Sequence, residues 1–125
     1  IEYSLRVVET TLWSNWFFVA ADYASWTLLR NTTNTAVSVN VTLRRPDGTS
    51  VGTPVTGQVI AGNGIYFVNA RGMMACDFPT TCTNANGSVE VAHTGSPDAI
   101  VGSQTTLSGG QGLSFDTLFF QRRAW

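Results

Sequence analysis

The chain contains no lysine, one histidine and two cysteines, and only 12% of its 125 residues are charged. All seven basic residues are arginine. The lack of lysine excludes Schiff-base chemistry and a phosphate-loop lysine. Seven basic against eight acidic residues leave a net charge of -1, so the basic stripe that nucleic-acid binding needs is missing. The longest apolar run, Trp16 to Ala21, is far short of the about 20 residues that cross a bilayer as a helix. His93 is the only imidazole, and it would need Ser88, Ser96 or Ser103 as nucleophile with Asp98 or Glu90 behind it. It shares a strand face with Val89 and Val91, and no G-x-S-x-G elbow occurs. A half-buried histidine satisfied by backbone is expected instead. Carboxylates fall on wet strand faces (Glu2, Glu9, Glu90, Asp116) or in turns (Asp47, Asp98), not paired across a cleft. No catalytic residues, metal or other cofactor are therefore expected.

What the sequence does have is strand chemistry. Val, Ile and Thr abound, apolar and polar residues alternate with period two, and helical spacing is nearly absent. Ile1, Tyr3, Leu5 and Val7 alternate with polar neighbours, as do Val37, Val39, Val41 and Leu43. Turns are expected at Arg45-Pro46-Asp47-Gly48, at Ala61-Gly62-Asn63-Gly64, at Gly95 to Asp98 and at Ser108 to Gly112. Turns every 8 to 12 residues or so predict a single all-β domain over residues 1–125, a two-layer antiparallel β-sandwich of about eight strands. Residues 70–86 lose the alternation and read as a long loop. Cys76 and Cys82, six positions apart within it, suit a loop-closing disulfide and an oxidising, extracellular location. The first residue, Ile1, is consistent with removal of a leader. Asn31, Asn40 and Asn86 open N-x-S/T glycosylation sequons.

Three segments are apolar on both sides of the strand: Trp16 to Ala21, Ile65 to Val68 and Leu118 to Phe120. A two-layer sandwich hides one side of each strand, so the other side calls for a cover. Identical subunits would supply it, with Trp16, Phe17, Phe18, Tyr66 and Phe120 at the contact. Ile1, Tyr3, Leu5 and Val7 would add a strand to the neighbour's edge. The expected function is a secreted, non-enzymatic structural module whose partner is itself, in an extracellular filament or surface assembly. The alternative is a carbohydrate-binding module, with a glycan stacked on Trp13, Trp16 or Trp26.

Leu29-Arg30-Asn31-Thr32-Thr33 leads into Val37-x-Val39-x-Val41-Thr42-Leu43 and Pro46-Asp47-Gly48. Gly87-Ser88-Val89-Glu90-Val91, Ala99-Ile100-Val101-Gly102 and Gly112-Leu113-Ser114-Phe115-Asp116 follow. This series resembles small bacterial secreted β-sandwich modules and, more distantly, is similar in element order to the sensory rhodopsin transducer family. That resemblance implies a compact β-sandwich that associates into oligomers. Residues 70–86, with the cysteine pair, depart from the transducer pattern.

Overall fold

A computed structural model describes residues 8–75 and 83–123. Alternation sets strands β1 (Val8–Val19), β2 (Tyr23–Asn31), β3 (Val37–Arg44), β4 (Ser50–Ile60) and β5 (Ile65–Asn69). A five-residue helix α1 (Ala70–Met74) follows. β6 (Ala85–His93), β7 (Ile100–Ser108), β8 (Leu113–Leu118) and β9 (Phe120–Arg123) complete the order. They form a five-stranded sheet, β4-β3-β6-β1-β9, and a four-stranded sheet, β5-β2-β7-β8, with every paired register antiparallel. The all-β, sandwich-like architecture expected from the alternation is present. The expected terminal strand of Ile1, Tyr3, Leu5 and Val7 lies outside the described residues, as do Cys76 and Cys82 and with them the disulfide-closed loop.

The turns follow their local chemistry. At the β3–β4 hairpin the Gly48 N–H donates to the Arg45 carbonyl at 2.9 Å, and Gly48 takes φ +89°. Asp47 accepts from the Thr49 hydroxyl at 2.7 Å and the Thr49 N–H at 3.0 Å, and those bonds hold its carboxyl below the usual carboxylate range. Residues 70–74 are not loop but helix. Asn69 caps it by accepting from the Arg71 N–H at 3.0 Å. From this turn of helix the Arg71 guanidinium donates to the carbonyls of Ala20, Ala21 and Tyr23, which closes the β1–β2 connection from beneath.

The core draws Val39, Val41 and Leu43 from β3, Val89 and Val91 from β6, and Leu29 and Ile100 from the smaller sheet. In β1 one extra residue resets the pattern. Ser14 pairs with Val89 but Phe17 pairs with Gly87, three residues against two, so a bulge lies between. Leu12 and Ser14 point inward before it, and Phe17 and Val19 point inward after it. Phe17, expected at a subunit contact, is instead fully buried, a burial worth roughly 1.5–3 kcal/mol.

His93 is 6% exposed on the inner face of β6. Its Nδ1 accepts from the Gly95 N–H at 3.2 Å, while Nε2 is buried without a partner among the described residues. Burial pushes its pKa down. Backbone therefore satisfies one of the two ring nitrogens, and the expectation of both is corrected.

Candidate interaction surface

Beyond Leu29 and Ile100, which join the core, the polarity of the four-stranded sheet is inverted. Antiparallel strands over a core ordinarily place apolar side chains inward and polar ones outward. Here β2 sends Ser25 and Thr27 inward and Trp26 and Leu28 outward, and β7 buries Gln104, Thr106 and Ser108 while Val101 and Leu107 are exposed. Cross-strand registers align these side chains into rows. Phe67, Leu28, Ser103 and Leu118 form one row across all four strands, with Ile65, Arg30 and Val101 on one side of it. Asn69, Trp26, Thr105 and Asp116 lie on the other side. Phe67 is 61% exposed and Leu118 75%. The Trp26 and Phe67 rings meet tilted, with centroids 5.9 Å apart, so part of this apolar face is preassembled.

Beneath it lies a hydroxyl and amide layer. Thr27 Oγ1 donates to Gln104 Oε1 at 2.5 Å, and the Ser25 and Thr106 hydroxyls are 2.7 Å apart. Ser25 also accepts from the Phe18 N–H at 2.9 Å and donates to the Phe18 carbonyl at 3.0 Å, tying β1 to β2. The Ser14 hydroxyl meets Thr117 Oγ1 at 3.0 Å across the two sheets. Gln104 Nε2 is buried with no partner among the described residues. The layer fixes the two sheets by directional bonds but removes little apolar surface from water, and the sheet's greasier side is left outside.

The other expected surface residues fall elsewhere. Trp16 and Phe18 are half-buried, stacked at 6.0 Å, in a cluster with Phe115 and Tyr23. Tyr66 is half-buried on the inner side of β5, where burial raises its phenol pKa, and its neighbour Phe67 points out. Phe120 is 51% exposed on the outer face of the other sheet, register partner of Trp13. Trp26, on the outer face of the four-stranded sheet, thus lies apart from Trp13 and Trp16 on β1, and the three make no single platform. Trp13 and Phe120 line an open groove of 430 Å³ with Ser14, Asn15 and Ser88.

Of the sequons, Asn40 and Asn86 are exposed and Asn31 is not. Asn31 is 0% exposed, and its Nδ2 donates to the carbonyls of Thr35 at 2.7 Å and Ile60 at 3.0 Å. In the folded chain it is a structural asparagine and no glycan acceptor. His93 makes no hydrogen bond to a serine or carboxylate among the described residues, and Glu90 is engaged by Arg44 Nε at 2.7 Å. Among the described residues no three of His, Cys, Asp and Glu converge as metal ligands, and no helix is long and apolar enough to cross a membrane.

No family model and no curated protein matches the chain. In fold it is similar to the crystal structure of Thermotoga maritima 1070, with a TM-score of 0.68 over 94% of this chain and 98% of that one. At 8% identity, this likeness shows a shared fold alone.

Proposed function

We propose that the chain is a secreted, non-enzymatic structural module that self-associates through the outer face of its four-stranded sheet, as a subunit of an extracellular filament or surface assembly. The observation that carries this reading is the inverted sheet, with Trp26, Leu28, Phe67 and Leu118 outside and Ser25, Thr27 and Gln104 inside. Covering a large apolar side chain is worth roughly 1.5–3 kcal/mol, and a face with several of them is a strong drive to association. The contact differs from the one expected from the segments at Trp16 and Phe17: its centre is β2 and β7.

The test is the mass of the full chain by light scattering across a concentration series, beside the variant Phe67→Ser. Assembly of the parent and its loss in the variant, with circular dichroism unchanged, support the reading. A parent that stays monomeric at high concentration ends it. The extracellular part of the proposal rests on a Cys76–Cys82 disulfide, and a thiol assay on the unreduced, denatured chain that finds two free thiols removes that support.

The groove beside Trp13 and Phe120 favours a second reading, a glycan site in which the indole stacks on a sugar ring and Asn15 and Ser88 supply polar contacts. Tryptophan fluorescence titrated with soluble oligosaccharides tests it. A response that Trp13→Ala abolishes supports it, and no response to any sugar rejects it.

A further inference from the structure

The apolar outer face of the four-stranded sheet carries one cation and one anion, and their positions are related to each other. Arg30 on β2 stands beside Val101 of β7, and Asp116 on β8 stands beside Thr105 of β7. Because β2 and β8 flank β7 on opposite sides, Ser103, midway between residues 101 and 105, is the midpoint of the line joining the two charges. Arg30 is exposed and has no ion pair or hydrogen bond among the described residues. Asp116 accepts from the Thr105 hydroxyl at 2.7 Å through Oδ1, which leaves Oδ2 available.

We infer that a second copy of this chain docks on this face about a two-fold axis that lies in the interface over Ser103, so that Arg30 of each copy meets Asp116 of the partner subunit. The inference rests on the self-association reading above and gives it a geometry. An axis in the plane of the face, perpendicular to the Arg30–Asp116 line, carries each charge onto the site opposite the other, which a self-complementary dimer requires. Strands about 4.8 Å apart and a rise of about 3.3 Å per residue place the remaining side chains. The same rotation sets Val101 over Leu118 of the partner subunit, and Trp26 over Leu28 and Phe67 of the partner subunit. Apolar thus meets apolar and charge meets opposite charge under one operation. The strands of the two copies cross at roughly 70°, closer to orthogonal than to aligned sheet packing. Strips about 19 Å wide crossed at that angle overlap over roughly 400 Å² per copy, so the pair buries roughly 800 Å², the size of a weak, reversible contact. Ser103, small and at the centre, lets the faces approach.

The test is charge exchange in the full chain, read by sedimentation equilibrium with circular dichroism as a check on folding. Arg30→Asp alone places like charges opposite each other twice, as does Asp116→Arg alone. Each is expected to raise the dimer dissociation constant by about tenfold or more. An equimolar mixture of the two variants brings opposite charges together at both sites, and a heterodimer of near-parental affinity is the expected result. Folded variants that each dimerise as the parent does overturn the inference, as does a mixture that fails to associate, and in both cases self-association itself survives. A monomeric parent overturns the inference and the underlying reading together.

Discussion

Thr27 and Gln104 are register partners on β2 and β7, joined by a 2.5 Å hydrogen bond beneath the half-buried ring of Trp26 and the exposed side chain of Leu28. Both are essentially shielded from water. Thr27→Val keeps the shape and strands the Gln104 amide, at an expected cost of about 1–3 kcal/mol. The double variant Thr27→Val with Gln104→Leu removes both halves of the bond and is expected to recover most of that loss. Urea denaturation of the parent and the two variants measures it.

Arg71 ties the β1–β2 connection to α1 through three backbone carbonyls. Arg71→Ala leaves Ala20 O and Tyr23 O, both part-buried, without this donor, and hydrogen bonds to a charged group are worth about 1.5–3 kcal/mol. A fall in unfolding free energy of that order is expected. Hydrogen exchange is expected to rise first at residues 20–23, and Arg71→Lys, which keeps the charge but loses the fork, restores the stability only in part.

His93 gives stability a pH dependence of known sign. Burial lowers its pKa from 6.5, and the Gly95 N–H pointing at Nδ1 favours the neutral ring. Between the lowered pKa and about 6.5 the unfolded chain binds more protons than the folded one, so stability falls as the pH drops through that window and is flat above it. His93→Gln is expected to flatten the midpoint of chemical unfolding between pH 5.5 and about 7.5, a range clear of ordinary carboxylates.

Gly87 faces the β1 bulge with φ +154°, and a side chain there would run into the Arg44 carbonyl. Gly57 is also left-handed, at φ +64°, but has open space around it. Gly57→Ala is expected to cost about 1–2 kcal/mol through the dihedral alone. Gly87→Ala adds a backbone clash, and thermal unfolding is expected to show a clearly larger loss.

How far the sequence could be read depends on what alternation encodes. A period of two says that a strand has two faces, which located β3, β6 and β7 and the turns at residues 45–48, 95–98 and 108–112 but not β2, and it does not say which face is inside. In Ala24-Ser25-Trp26-Thr27-Leu28 the natural assumption turns Trp and Leu inward; the fold turns Ser25 and Thr27 inward, against Thr106 and Gln104. The pairing partner, not the segment, decides the matter, and the partner is nearly eighty residues away. Phe17 is hidden for a different reason: a segment apolar on both sides does not say which ring is covered, and the bulge that turns Phe17 inward has no local motif. The doubly apolar stretch Ile65 to Val68 did signal an uncovered surface, although its outward ring is Phe67 and not Tyr66. The charge relation between Arg30 and Asp116 exists only in the register of three strands and has no trace in either neighbourhood of the chain.

The buried amide of Asn31 has a consequence for how this polypeptide is produced. Its nitrogen is committed to the Thr35 and Ile60 carbonyls before any enzyme could approach the finished fold. An oligosaccharide attached there during translation, in a host that modifies such triplets, would block closure of β2 against the end of β4. Expression in a glycosylating host is therefore expected to yield a misassembled fraction that Thr33→Ala, which removes the triplet and keeps the Asn31 amide, does not share, whereas sugars at Asn40 or Asn86 would ride on the exterior.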